Sequence, residues 1–573
     1  MNNANVKVSR REALVLAGAA GVLTAYPGRR SFASAAGEYD LAIERTRIVI
    51  EGIEGDAVVM GGSVPAPTLR WREGEEVVIH ATNRLDEPTS IHWHGLLLAG
   101  VMDGAPGFNG YIAIQPGETY TYRFRLRQAG TYWYHSHSAF QEQAGMYGAI
   151  VIDPADREPV RYDRDYVVVI SDYLREDPDA VLGKLKTDPG YYNYEKRTLI
   201  DFFDDAGRDG LGAALDDRLA WGDMRMDPTD LADVTGYTFL VNGRGPADNW
   251  TGIYAPGERI RLRFVNASAM SIYDVHIPGL PMTVFAADGQ NVQPVKVDEF
   301  RFGVGETYDV IVLPKDERPY TIMAEPIDRS GYARATLATR EGDEGSIPPL
   351  RPRVLLTMQD MGMAHGDMDM SGMDHSTMDM SGMDMSGMDM AGMDHSTMDM
   401  SQMDHSTMDM GDAVAGWANA GTPPGAKALR YEDLVSAKAN EDAREPAHEI
   451  ELRLTGIMER YMWSLNGKPF GHGEPLRVAY GDRVRIRFVN TTMMAHPMHL
   501  HGMFVELENG ETDRKPRKHV VLVPPGRETS VVLTADEPGE WPFHCHLLYH
   551  MEAGMMTRFI VEQATVSIDT GEA

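Results

Sequence analysis

The chain has 573 residues, 85 of them acidic and 54 basic, for a formal charge of −31, which argues against nucleic acid and anionic membrane surfaces and favours cationic partners. That length sets a prior of three or four domains, each able to bury its own core. With one cysteine, Cys545, no internal disulfide can form.

Taken in order, the chain opens with Ser9-Arg10-Arg11, an apolar stretch from Leu14 to Ala25, then Ala33-Ser34-Ala35. These read as the charged region, apolar region and cleavage site of a twin-arginine leader over residues 1–35. The apolar stretch is too short for a mature bilayer span. No other stretch is long and apolar enough, so the exported chain is expected to be soluble, without a membrane span.

One grammar then recurs three times. Gly74-Glu75-Glu76-Val77-Val78-Ile79-His80-Ala81-Thr82-Asn83 has the spacing of Gly257 to Asn266 and of Gly481 to Asn490. Each has a turn glycine, an alternating run and a closing Asn, as a half-buried β-strand requires. A second element recurs at Gly117-Glu118-Thr119, Gly305-Glu306-Thr307 and Gly526-Arg527-Glu528. Short strands between Gly/Pro turns predict an all-β chain of three sandwich domains, 36–157, 158–350 and 440–565. Residues 175–235 read as an irregular, acidic insertion with some helical character, to which the sequence assigns no function. Residues 358–412 carry 18 methionines, 12 aspartates and four histidines, with no Lys or Arg. Lacking β-branched and aromatic core formers, this tract is expected to be disordered.

Four motifs carry metal-ligating residues: His92-Trp93-His94-Gly95, His135-Ser136-His137, His496-Pro497-Met498-His499-Leu500-His501-Gly502, and His544-Cys545-His546 with His550 and Met555 beyond. On a strand, both imidazoles of an H-x-H point to one face. The repeat aligns the first and third domains. Asn83 to His92 and Asn490 to His499 are both nine residues, so His92 matches His499 and His94 matches His501. Gly130 to His135 and Gly539 to His544 are both five, so His135 matches His544 and His137 matches His546. Each domain therefore offers four equivalent histidines to a shared interface. Ser136 stands where Cys545 stands, and Thr89 where His496 stands. In the second domain the positions matching His496, His499 and His501 are Ile272, Val275 and Ile277. That domain reads as a spacer without metal, with His276 one register off and structural.

Two centres follow. A mononuclear site of His496, Cys545, His550 and a weak Met555 has the His₂Cys–Met composition of a copper site. Eight histidines without carboxylates, His92, His94, His135, His137, His499, His501, His544 and His546, suit two or three further copper ions. A zinc hydrolase would need an open three-ligand site and usually a carboxylate base, and no such set is evident.

Together HxHG, HxH, HPxHLHG and HCHxxxHxxxxM resemble the multicopper oxidases, whose three domains are cupredoxin-like. The leader, the methionine-rich insertion before the third domain and HCHLLYHMEAGMM look like the bacterial periplasmic copper resistance protein A group. That resemblance implies four copper ions. Type 1 would be held by His496, Cys545, His550 and Met555, and type 2 by His92 and His499. One type 3 ion would take His94, His135 and His546, and the other His137, His501 and His544. It implies electron transfer to type 1 through an exposed edge of His496 or His550, passage from Cys545 through His544 and His546, and reduction of O₂ to water. It also places Asp103 as a cluster-side acid. The position after His550, acidic in some relatives, is Met551 here, which leaves Glu552 as the candidate second proton relay.

Thioether sulfur selects Cu(I), so the leading expectation is a periplasmic cuprous oxidase, fed by the tract and acting beside copper-handling proteins. A laccase-like oxidase of phenols or aromatic amines keeps the same electron path with a small organic reductant. A copper-sequestering binding protein would need only the tract.

Overall fold

The computed structural model describes residues 38–224, 226–353, 355–357 and 422–563. The leader and the 358–412 tract lie outside these residues. The described chain is built mostly of strands, arranged as three cupredoxin-like β-sandwiches.

The two repeated elements prove to be sheet neighbours. Strand Glu76–Asn83 pairs antiparallel with Thr119–Arg125, Ile260–Asn266 with Thr307–Val312, and Arg483–Asn490 with Glu528–Thr534. Each also pairs in parallel with the first strand of its sandwich, Glu38–Ile50, Arg164–Tyr173 or His448–Ile457. The closing Asn does one task three times. Its Oδ1 accepts the N–H two residues on, from Leu85, Ser268 or Thr492, at 2.8–3.1 Å. Its amide then donates to loop carbonyls: Glu87 and Ile114 for Asn83, Ser271 and Phe302 for Asn266, Met494 and Pro524 for Asn490. These Asx turns pin the returning loop, so the H-x-H that follows starts from a set position.

One expectation is corrected. Ile260–Asn266 is buried at every position, not half-buried. Its outer face lies against the first sandwich, where Arg263 donates to Thr131 at 3.0 Å and Val265 packs in one cluster with Trp133 and Tyr147, while Asp165 and Asp309 of its own sandwich pair with Arg263 and Arg261 at 2.7 and 2.5 Å. Alternation in sequence marks two faces; here a neighbouring domain covers the second one.

The insertion is helical at Pro178–Thr187, Leu199–Asp209 and Leu211–Asp223. Asp177 caps the first by accepting from Ala180 N, and Thr198 with Asp201 forms a capping box on the second.

The second and third sandwiches are joined by a buried ion cluster. Lys518 Nζ lies 3.0 Å from Asp288 Oδ2 and 2.9 Å from Glu306 Oε1, with all three side chains at or near zero exposure. Burial alone would pull the ammonium's pKa down, but the two carboxylates outweigh it and the net shift is upward. Removing the cation strands two buried charges, at a cost of about 3–5 kcal/mol. Lys518→Met should therefore lower the unfolding free energy of the copper-free protein by that margin in fluorescence-monitored denaturant unfolding. A change below about 1 kcal/mol would show that the carboxylates find solvent.

Candidate metal centre

The two site-bearing sheets share a register. In the third sandwich His496–Leu500 runs antiparallel to Gly539–Cys545, with His499 opposite His544 and Met498 opposite Cys545. In the first, His92 and His135 form the equivalent bridge, exchanging N–H···O bonds of 2.8 and 3.1 Å. Facing each other, the two strand pairs converge all eight histidines on one buried nest. His92 stacks on His501 at 3.9 Å and His94 on His499 at 3.8 Å, ring centre to ring centre.

Where the protons lie follows from the acceptors around the rim. His92 Nδ1 donates to the Asp103 carbonyl (2.9 Å), His501 Nδ1 to Asp103 Oδ2 (2.8 Å), His499 Nδ1 to the His519 carbonyl (2.7 Å) and His544 Nδ1 to the Cys545 carbonyl (3.0 Å). His135 Nδ1 faces both the Ser136 carbonyl (2.8 Å) and Glu142 Oε2 (2.7 Å). Carbonyl oxygens, which only accept, and the Asp103 carboxylate hold these protons outward; at His135 the Ser136 carbonyl does so beside Glu142, a carboxyl that burial pushes well above the usual range. Bare lone pairs are left facing inward: His501 Nε2 to His544 Nε2 at 3.0 Å, His94 Nδ1 to His546 Nε2 at 3.2 Å, His92 Nε2 to His499 Nε2 at 3.4 Å. The Nε2 atoms of His135 and His137 are buried without a hydrogen-bond partner. Burial, then the mutual proximity of the rings, holds His94, His135, His499, His501 and His544 well below the ordinary imidazole pKa. Burial foremost takes His137 and His546 to about 3. Neutral rings with lone pairs in contact are stabilised by a cation between them. Nitrogens each about 2.0 Å from one tetrahedral ion sit about 3.3 Å apart, so the nest fits metal.

The second nest is built the same way with the ring nitrogens exchanged. His496 Nε2 donates to Thr492 Oγ1 (2.8 Å), whose own proton goes to Asn490 Oδ1 (2.9 Å), and His550 Nε2 donates to Asp233 Oδ2 (2.6 Å). The repeat's closing Asn thus sets the tautomer of His496. The two Nδ1 atoms are left 3.1 Å apart, with Cys545 Sγ at 3.5 and 3.7 Å. Met555 is fully buried; its carbonyl accepts the Cys545 N–H and its own N–H goes to the His550 carbonyl. Burial pushes the Cys545 thiol far above its ordinary pKa, so a soft cation would displace its proton on binding. Nitrogen, thiolate and thioether donors suit copper.

Domain one keeps the frame of this nest and, in Met146, its thioether, but not its imidazoles or thiol. Ser136 N bonds the Met146 carbonyl and Met146 N the Gln141 carbonyl, as Cys545, Met555 and His550 do. In place of ligands, the hydroxyls of Thr89 and Ser136 both donate to Gln141 Oε1, at 2.6 and 2.9 Å. The polar groups satisfy one another and leave nothing for a metal.

Three expectations change. His496 and His550 present no exposed edge, since both are fully buried, and Trp463 stacks on His550 at 3.9 Å. Glu552 is exposed at the end of helix Leu548–Glu552 and makes no hydrogen bond to a histidine among the described residues. The buried carboxylates at the cluster are Asp103, which reaches rings from both sandwiches, and Glu142. The middle domain is more than a spacer. Asp233, from the loop after the insertion's helices, grips His550 and accepts from Tyr461 at 2.7 Å. A ninth histidine, His519, sits against His94 at 3.1 Å; burial foremost, with Lys518 against Asp288, holds it at about 4. Sequence offered a partial signal for Glu142, which falls in the repeat opposite Met551. It offered none for Asp233 or His519, which lie outside every H-x-H motif.

Sequence models of the multicopper oxidase family match residues 42–157, 198–342 and 443–565. The chain is 48% identical to copper resistance protein A of Escherichia coli, covering 97% of this chain and 100% of that one. It is 50% identical to copper resistance protein A of Pseudomonas syringae pv. tomato over 92% and 93%, and 31% identical to multicopper oxidase MmcO of Mycobacterium tuberculosis over 90% and 86%. The crystal structure of a laccase from Botrytis aclada shares the fold, with a TM-score of 0.65 at 20% identity over 92% of this chain and 89% of that one. Two converging donor nests on three cupredoxin-like sandwiches, with these relatives, identify the chain as a member of the multicopper oxidase family, in its copper resistance protein A group.

Proposed function

We propose that this oxidase binds four copper ions and oxidises Cu(I) to Cu(II) with O₂ as acceptor, in periplasmic copper resistance. His496, Cys545, His550 and Met555 would hold type 1 copper, His92 and His499 type 2, and the type 3 pair would take His94, His135, His546 and His137, His501, His544. Bound copper would supply one-electron acceptance at the thiolate and reduction of O₂ to water at the histidine cluster.

The observation that carries this reading is a single strand end shared by both nests. Cys545 Sγ lies in one, and its neighbours His544 and His546 lie in the other, so the chain's own backbone joins them through a few covalent bonds. Asp103 Oδ2 and the Ser136 carbonyl hold ring protons at His501 and His135, orienting those rings. Seven of the eight rings are buried and His137 is half-buried, which limits access of bulk water to the nest.

Cu(I) is favoured over a phenol by what surrounds His550. Its outer nitrogen meets the Asp233 carboxylate, not an open face. Asp230 lies nearby, and burial beside Asp233 raises its pKa well above the usual carboxylate range. Asp230 is thereby held neutral, so the Asp233 carboxylate is the charge that faces a cation there, and no imidazole edge is presented to an aromatic ring. The names of the relatives agree with copper as the physiological load. Export by the leader, delivery of copper by the 358–412 tract and contact with periplasmic copper-handling proteins complete the proposal.

Three measurements test it. Cys545→Ser should lose the blue absorption and oxidase activity together while still binding copper at the histidine cluster; retention of the blue band would remove the type 1 assignment. Asp233→Asn keeps an amide oxygen that can accept from His550 but removes the charge, so it should slow Cu(I) oxidation more than phenol oxidation. Equal losses for both reductants would leave Asp233 only its hold on His550, with no part in choosing the reductant. Deleting residues 361–410 should raise the Cu(I) concentration needed for half-maximal rate, and unchanged kinetics at limiting Cu(I) would reject delivery by the tract.

A further inference from the structure

His519 is the one histidine at the cluster that no H-x-H motif supplies. It follows the short strand Arg517–Lys518 and precedes Val520–Val523. Asp288 Oδ2 accepts both the His519 and Val520 backbone N–H groups at 3.1 Å and pairs with Lys518, so a buried carboxylate of the second sandwich fixes the backbone there. The His519 ring lies against Gly95, where an added Cβ would fall 2.6 Å from ring carbon Cδ2. The glycine closing His92-Trp93-His94-Gly95 is therefore needed for this ring as well as for its own backbone, at φ +80°.

His519 touches two cluster histidines in different ways. Its carbonyl accepts from His499 Nδ1, and its Nδ1 meets His94 Nε2. His94 is the ring whose inward nitrogen is Nδ1, facing His546. A cation on Nδ1 requires the His94 proton at Nε2, and that proton needs an acceptor. No carbonyl or carboxylate takes that place among the described contacts; His519 Nδ1 does, which puts the His519 proton on Nε2, a buried nitrogen without a partner among the described residues. A ninth metal ligand is a poorer account of the same ring. His499 Nδ1 is already spent on the His519 carbonyl, and His94 Nε2 is the only imidazole nitrogen that the His519 ring meets within hydrogen-bonding distance among the described residues.

We propose that His519 is a positioning residue of the oxidase: its Nδ1 accepts the Nε2 proton of His94 and so leaves His94 Nδ1 bare toward the cluster. This rests on the reading of His94 as a copper ligand. Outer partners of this kind set the tautomer and aim of a ligating imidazole, and their loss costs about 10–100-fold in metal affinity or activity.

The test compares His519→Ala, which removes the acceptor, with His519→Asn, whose amide oxygen falls near the Nδ1 position, and His519→Gln, whose amide reaches past it. Full-length protein loaded with Cu(I) is titrated with a competing chelator, and copper retained per chain is counted. After oxidation, the blue band reports the fold and the Cys545 site. The expected result is cluster copper held about 10–100-fold more weakly in the Ala and Gln variants and within about threefold of wild type in the Asn variant, with the blue band unchanged. In ¹⁵N-histidine spectra of the diamagnetic Cu(I)-loaded protein, the His94 Nε2 proton should persist in wild type and His519→Asn and be lost to exchange in the other two. If Ala alone also loses the blue band, the Asn and Gln variants decide. Cluster affinity unchanged in Ala and Gln, or Asn as weak as Gln with the blue band intact, would overturn the inference. Wild-type protein retaining no copper beyond the Cys545 site would sink the cluster reading, and this inference with it.

Discussion

The structure depends on neutral imidazoles buried with their protons turned outward. A buried lone pair or N–H without a partner is costly, and here the cost is divided. The rim protons of His92, His499, His501 and His544 meet oxygens and that of His94 a ring nitrogen, while three pairs of inward nitrogens lie 3.0–3.4 Å apart and those of His135 and His137 meet no partner among the described residues. Such an interior is complete only with cations in it. The fold contributes the outward acceptors: backbone carbonyls of Asp103, Ser136, His519 and Cys545, at or just beyond strand and turn ends, and side chains such as Asp103, Thr492 and Asp233.

Comparing the first and third sandwiches shows how one frame can serve or abolish a metal site. Both keep the same backbone bonds around the loop that follows the second H-x-H. With His496, Cys545 and His550 in place, three donors converge without closing on each other. With Thr89, Ser136 and Gln141, a hydroxyl–amide cluster satisfies itself. Neither outcome requires a change of fold, only a change in which atoms have protons left to donate.

The middle sandwich gains its importance through charge. Asp288 anchors the His519 loop at one nest and Asp233 caps His550 at the other. Asp172 accepts the Ala269 and Met270 N–H groups and the Ser271 hydroxyl, holding the loop whose Ala269 carbonyl receives Leu548 N at the start of the helix carrying His550. A domain whose own ligand positions are Ile272, Val275 and Ile277 thus orients both donor sets from outside.

How much was legible in the sequence follows from the range of the interactions. The turn glycine, alternating strand and closing Asn are local, so the all-β class, the threefold repeat and the register of His92 against His499 could be counted along the chain. The His–Cys–His motif carries its own chemistry, because adjacent side chains on a strand must face opposite ways. Partners brought together by folding could not be counted. Asp233 and His550 are 317 positions apart and His94 and His519 are 425 apart, and neither pair shares a motif. Burial likewise escaped the pattern: the alternation of Ile260–Asn266 predicts a solvent face that the first sandwich covers, and His550 meets a carboxylate where an exposed edge was expected. The chain alone determined which imidazole, thiol and thioether donors are available to a metal. Only tertiary packing decided where their protons go, because a tautomer is chosen by whichever acceptor the fold brings within reach.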